Sequence, residues 1–328
     1  MRLSRHRLIV LGLCILAVLP SRSACAWGLK VHASICLEAA NNIPGDMKEW
    51  EKYAHILARN TMNPDFWKEG DNQESPRHYI DMDNYVRLPL SGIPRDLEEA
   101  TAKWGADRMA SEGIAPWVIV RLQERLTQAM TSNQWVEAVR LAAAMSHYIG
   151  DTHQPLHCTT HFDGPTEQSR GLHVRWEENM PEQYLNFRMI KASPSVFIDD
   201  PWTAIWSWTK TAYAQCDTIF TADEEARRQS RGDMESAVYY QALWSQTKSL
   251  FLAQTSQAAT DLASFWYTAW VNAGRPAIPA PPDTMDNESV WPQGQSSPQK
   301  RPTAWPFLAT LAAATTIVVL LSLRKEVN

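Results

Sequence analysis

The tightest constraint on the fold of this chain lies near its middle, in the run Trp135 to Gly150. Val136, Val139, Leu141, Ala143 and Met145 give this run a nearly all-round apolar surface at helical spacing, which is buried only when other helices enclose it. Such a central helix implies a bundle. At its end stand His147 and Asp151, four residues apart, so both side chains leave the same face. On an exposed helix this spacing describes a surface hydrogen-bonded pair. Inside an apolar bundle an unpaired carboxylate costs about 3 kcal/mol or more, so Asp151 requires a cation.

The rest of the body agrees. Between Trp27 and about Gly274 the periodicity is helical, and no alternating β-branched run is long enough to demand a sheet. The spacing predicts helices near Val31 to Asn41, Lys48 to Arg59, Leu97 to Glu112, Pro116 to Met130, Trp202 to Phe220 and Glu235 to Asn272. Gly92 to Pro94 and Asp163 to Arg170 read as loops. The fold class is all-α, a multi-helix bundle. The fifteen tryptophans, with Trp202, Trp206 and Trp208 close together and Trp266 and Trp270 one turn apart, read first as core and second as an aromatic wall beside a cleft.

Downstream of Asp151 comes His153-Gln154-Pro155-Leu156-His157, where Pro155 ends the helix and turns His157 back toward the same neighbourhood. A second pair at spacing four, His173 and Glu177, follows. With His147 and Asp151 these make five potential ligands, and neutral imidazole with carboxylate oxygen is a set that suits zinc. Cys158 is either a soft ligand or a buried small hydrophobe.

The block His147-Tyr148-Ile149-Gly150-Asp151-Thr152-His153-Gln154-Pro155-Leu156-His157, followed by Leu172-His173-Val174-Arg175-Trp176-Glu177, resembles the signature of the zinc-dependent phospholipase C and S1/P1 nuclease superfamily. The resemblance covers Trp27 to Glu177; beyond about Asn179 only helical character agrees. It implies a helical enzyme with three zinc ions that cleaves phosphate esters by zinc-activated water, and a trinuclear site whose ligands include the mature amino terminus at Trp27. Carried over residue by residue, Asp65, His78, His147 and Asp151 would hold one zinc, and His157, His173 and Glu177 a second. The amine and carbonyl of Trp27, with His32 and a shared Asp151, would hold the third. Asp81 matches an aspartate associated with activating the attacking water, with a hydrogen-bonding role as the alternative, and Asp65 is the other candidate for that task. His55, His153 and His161 fall outside the set. Arg77 and Arg175 either approach substrate phosphate or lie exposed.

For the substrate, the interval His161 to Arg170 lacks the paired glycines and asparagine of the loop that holds a nucleobase in nuclease members. This favours phospholipase C-like hydrolysis of a phospholipid. The short step from Trp27 to His32 and the block Thr152 to His157 are closer to nucleases acting on nucleotides or single-stranded nucleic acid. A metal-stabilised binding module without turnover is the reading from a different class.

The net charge of -5 leaves no broad basic surface, which argues against duplex DNA as the main partner. Nothing points to a protein partner. With 45% hydrophobic residues in 328, one core of roughly 150 to 250 residues is expected. Arg2, Arg5 and Arg7, the apolar stretch Leu8 to Leu19 and Ala24-Cys25-Ala26 read as a signal peptide over 1–26, leaving Trp27 first. The alternatives are an uncleaved anchor or a lipoprotein at Cys25. The mature chain then keeps Cys36, Cys158 and Cys216, enough for one disulfide at most.

At the other end, Phe307 to Leu323 is uncharged, with Trp305 before it and Arg324 and Lys325 after, and spans roughly 25 Å as a helix. The expected order is therefore signal peptide (1–26), catalytic domain (27–274), proline-rich linker (275–306), transmembrane helix (307–323) and cytoplasmic tail (324–328). An exported enzyme held on the extracytoplasmic side of a membrane is the resulting expectation, with chemistry and anchoring separable at Gly274.

Overall fold

The computed structural model describes residues 27–291. The expected signal peptide, the later part of the expected linker, and the expected membrane helix and tail lie outside the described residues. Among those described there is no strand, and no helix is long and apolar enough to cross a membrane.

In chain order the first helices are α1 (Leu29–Asn41), α2 (Ala54–Asn60), α3 (Asn63–Trp67), α4 (Leu97–Trp104), α5 (Ala106–Glu112), α6 (Ala115–Thr131) and α7 (Trp135–Thr152). They are followed by α8 (Leu172–Val174), which continues into a π-helical turn at Arg175–Asn179, and by α9 (Met180–Tyr184), α10 (Pro201–Tyr213), α11 (Cys216–Gln229) and α12 (Ala237–Asn272). The central helix is where its sequence puts it. α7 is buried from Ala138 through Thr152 except at Arg140, and it packs against α1, α2, α6, α10 and α12.

Three predicted helices are interrupted for local reasons. Gly105, at φ 91°, splits the run from Leu97 to Glu112 into α4 and α5, because the left-handed region ends a right-handed helix. The run from Lys48 begins as a 3-10 helix, Gly45–Tyr53, before α2. That from Trp202 to Phe220 breaks after Tyr213 and restarts at Cys216.

Trp202, Trp206, Trp208, Trp266 and Trp270 are buried in the core. Trp117, Trp202 and Trp206 meet edge-on with ring centroids 5.4–5.6 Å apart, and Trp206 also packs on Tyr85. Trp266 meets Trp50 at 5.9 Å. Cys36, Cys158 and Cys216 are free and buried.

Two extended segments are tied down by helices. The segment 191–198 runs along α12, where Lys191, Ser193, Val196 and Ile198 donate main-chain N–H bonds to the hydroxyls of Ser256, Thr260, Ser264 and Thr268 at 2.8–3.1 Å. Those hydroxyls recur at every fourth position, one helical turn apart, so the segment's amides are satisfied without a sheet.

The second segment corrects the expectation of a free spacer from residue 275. The carbonyls of Pro276, Pro279, Asn287 and Val290 accept bonds from Trp270, Tyr53, Trp67 and Arg125 at 2.6–2.9 Å. Arg140 pairs with Asp286 and Glu288. Residues 275–290 therefore form a strap along the catalytic body.

Candidate metal centre

The end of α7 is where the ligand candidates converge. Among the described residues three buried groups form, His32 with His147 and Asp151, Asp65 with His78 and His147, and His157 with His173 and Glu177. Asp151 faces two of them at once. Its Oδ1 lies 3.2 Å from His32 Nε2, while its Oδ2 lies 2.9 Å from His78 Nδ1 and 3.4 Å from His147 Nε2. In the remaining group His173 Nε2 is 2.7 Å and His157 Nε2 3.4 Å from Glu177 Oε2, with the two nitrogens 3.0 Å apart. Atoms bound tetrahedrally to one zinc at about 2.0–2.2 Å sit roughly 3.3 Å from one another, so this spacing is that of a ligand set.

Each element contributes for a local reason. Gly150 has no Cβ, and one would lie 2.9 Å from the His32 ring, so α1 can lay His32 on α7. The indole N–H of Trp27 donates to Gly150 O at 2.9 Å, and its ring packs on Trp176 and Phe251, both at 5.0 Å. Gly28 N–H donates to Glu177 O, so the chain at Trp27–Gly28 bridges the end of α7 and the π-helical turn. Asp65 comes from α3. The segment carrying His78 and Asp81 is pinned by Ile114 N–H to Pro76 O, Ala115 N–H to Tyr79 O and Asp81 N–H to Glu112 O. Gly113, at φ 82°, is required there, because a Cβ would lie 2.1 Å from Tyr79 O.

The outer shell fixes tautomers. His147 Nδ1 meets Thr61 O at 2.9 Å and His157 Nδ1 meets His78 O at 2.8 Å, which leaves each Nε2 lone pair aimed inward. Gln154 donates to Glu177 Oε2 at 2.9 Å and accepts from Leu156 N–H, so it orients that carboxylate.

The fit to a cation shows in what is left over. His32 Nε2, Asp65 Oδ2, Asp151 Oδ1 and Glu177 Oε1 are buried without a hydrogen-bond partner. At about 1–3 kcal/mol for each orphaned polar atom, such a cluster is costly unless cations complete it. Nitrogen and oxygen donors of this kind suit zinc.

The protonation states of the bare protein differ from ring to ring, because the buried carboxylates attract protons where no cation is bound. Burial and neighbouring His147 push His32 down to about 4, leaving the neutral imidazole that binds metal. Burial opposes protonation of His157, yet Asp151 and Glu177 outweigh it and raise the ring to about 9. Burial would raise Asp151, but His147 and His157 hold it well below the usual carboxylate range.

A cleft of about 530 Å³ opens onto this centre, lined by His78, His157 and His173 together with Lys68, Tyr79, Asp81 and Phe162. Asp81 is therefore a wall residue beside the ligand groups. Burial, then Asp83 and Glu112, raise its carboxyl to about 7. Asp65 is a member of a ligand group and also pairs with Lys68 Nζ at 2.6 Å.

Other candidates resolve differently. Arg77 pairs with Asp71 and Glu74, and buried Arg175 bonds Asp223, Tyr239 and the carbonyls of Ser169 and Arg170; both are spent on structure. His153 bonds Ile149 O and Asp261 and stacks on Trp208, away from the ligand groups. Cys158 Sγ lies 3.5 Å from the carbonyls of Thr152 and Gln154, as a buried thiol. Sequence reasoning missed Glu74, wholly buried beside His78, although it stands four residues before that histidine, the same spacing as in the other two pairs. It also missed Lys68, three residues after Asp65.

No curated protein matches the chain. The family model described as S1/P1 Nuclease matches residues 27–273, running well past Glu177, where the recognisable motif ends. That family is zinc-dependent and consists of phosphoesterase hydrolases. The helical body, the three ligand groups and this match together establish that the chain belongs to the S1/P1 nuclease family.

Proposed function

We propose that the protein is a zinc-dependent nuclease-type hydrolase that cleaves phosphate esters of single-stranded nucleic acid and nucleotides. The observation that carries this reading is the cleft. Its lining brings together His78, His157, His173 and Asp81 with two aromatic side chains, Tyr79 and half-exposed Phe162. Its volume suits one nucleotide, and the flat rings suit a planar base. Phe162 also meets His173 edge-on at 5.7 Å, which puts a stacking surface next to the ligand group.

Zinc, when bound, supplies Lewis-acid polarisation of the phosphoryl group and lowers the pKa of water toward about 7. Three ions are proposed, held by Asp65, His78, His147 and Asp151; by His157, His173 and Glu177; and by His32, Asp151 and the amine and carbonyl of Trp27. The protein's part is to orient and to move protons. Asp81, raised to about 7, is matched to taking up and releasing a proton near neutral pH. Lys68, in the same cleft, offers a cation to phosphate oxygens. Thr160 N–H is bound by Asp83 at 2.8 Å, which holds the wall leading to Phe162. An exported, membrane-held location, read from residues 1–26 and 307–323, is part of this proposal.

Phospholipase C-like cleavage, which the loop His161 to Arg170 favours, is the second reading. The family match shifts the balance to nucleic acid, while the absence of asparagine between His157 and His173 still supports the phospholipid. The test assays purified protein beginning at Trp27 on single-stranded DNA, RNA, 3′-nucleotides and phosphatidylcholine. Turnover of the nucleic acids is expected; turnover of phosphatidylcholine alone would replace the proposal with the second reading.

A further inference from the structure

We propose that Glu74 is a positioning residue for the metal centre, a buried carboxylate that orients His78 and strengthens its hold on a divalent cation. The inference rests on the reading of His78 as a zinc ligand. Glu74 is fully buried and belongs to none of the three ligand groups. Its Oε1 lies 3.3 Å from His78 Nε2. The other nitrogen of the same ring, Nδ1, points into the centre, 2.9 Å from Asp151 Oδ2 and 3.1 Å from His147 Nε2.

An imidazole that gives its Nδ1 lone pair to a cation must carry its proton on Nε2, and a buried N–H requires an acceptor. Glu74 Oε1 is the carboxylate oxygen that faces this nitrogen, and His78 Nε2 has no formed hydrogen bond in the present ring orientation. The 3.3 Å approach is longer than a well-formed charge-assisted bond, and a small tilt of the ring would close it.

The carboxylate is itself braced. The Tyr148 hydroxyl donates to Oε1, and Arg77 Nη1 pairs with Oε2. Arg77 is held in turn by Asp71 Oδ2 at 2.8 Å. Tyr148 follows His147 on α7, and its ring meets that of His78 at 5.2 Å, so the brace is anchored in the helix that carries the centre. His147 and His157 differ, because each spends its outer nitrogen on a main-chain carbonyl. A charged acceptor pushes more electron density onto the ring than a carbonyl does, which raises ligand basicity.

The experiment compares wild type with Glu74→Gln and Tyr148→Phe, all loaded with zinc and titrated with a chelator of graded strength. Zinc per chain is read by elemental analysis, and the metal-free forms are melted alongside. Glu74→Gln is expected to release one class of zinc at about 10- to 100-fold lower chelator activity, with the other ions unchanged, and Tyr148→Phe to show a smaller loss of the same class. Release curves identical to wild type in both variants would overturn the proposal. So would a variant that melts lower without zinc yet holds every ion as tightly as wild type, since that is a purely structural role. If Glu74→Gln does not fold, Tyr148→Phe decides alone by the same criterion. Because the readout is zinc retention, failure of the proposed nucleolytic activity would leave this result standing.

Discussion

Gly150 and His32 are in contact: a methyl group at position 150 would sit 2.9 Å from the Cε1 and Nδ1 of the imidazole. Two effects of Gly150→Ala therefore oppose each other. Helix propensity favours alanine by about 1 kcal/mol in the interior of α7. Overpacking against a fully enclosed ring costs about 1–3 kcal/mol, and the ring can relieve it only by moving off the metal group. The substitution is expected to loosen the zinc next to His32 while changing the melting temperature of the metal-free protein little. Zinc counted after mild chelation checks this, and full retention would show that His32 is not a ligand.

Asp81 and Asp83 predict a pH effect. Asp83 contributes to holding the Asp81 carboxyl near 7, after burial. A group that acts as a base is competent only above its pKa, so activity should rise with pH through this region. Asp83→Asn removes the neighbouring charge and should move that rising limb to lower pH. The profile of a small soluble phosphodiester, taken at fixed zinc, reads the shift; an unmoved limb would remove Asp81 from proton transfer.

His157 predicts proton release on metal binding. Its folded value of about 9 lies above the ordinary 6.5, so the metal-free protein gains stability from the charged ring fully below 6.5 and loses that gain as pH rises through 9. Zinc must displace the same proton. The affinity of the ion held with His173 and Glu177 should therefore rise about tenfold per pH unit up to about 9 and then level off. Calorimetry in buffers of different ionisation enthalpy measures the released proton.

The strap predicts that truncation position matters. Trp67, in the five-residue helix α3 that carries Asp65, bonds Asn287 O at 2.6 Å. A helix that short has little stability of its own. Ending the chain after Gly274 should lower the melting temperature by roughly 5 °C or more, on a scale of about 2–4 °C per kcal/mol, and loosen the zinc beside Asp65. Ending it after Val290 should do neither. Equal melting of the two would return residues 275–290 to the role of a spacer.

Much of the centre was legible because ligand chemistry has a local spacing. His147 with Asp151 and His173 with Glu177 are single-turn pairs, and the apolar surface of α7 announced that the first pair is enclosed. What escaped depends on distant partners. Glu74 shows the same spacing to His78, but its importance comes from Tyr148, seventy-four positions away. The serine and threonine ladder on α12 likewise has meaning only once segment 191–198 lies against it. The proline-rich stretch reads as solvated because its composition is that of linkers, yet what fastens it is main-chain carbonyl groups, which no residue type advertises. Arg77 and Arg175 were misread for the converse reason: a buried arginine is specified by its carboxylates, Asp71, Glu74 and Asp223.

Asp151 joins the two groups at the end of α7, its oxygens facing His32 on one side and His78 with His147 on the other. The most direct test counts zinc in purified protein beginning at Trp27 and in its Asp151→Asn variant, with hydrolysis of single-stranded DNA measured on the same samples. Three zinc ions and turnover are expected for the first; loss of zinc next to His32 and His78, with activity abolished, is expected for the second. A variant that keeps three zinc ions and near-normal turnover would contradict the assignment of this centre.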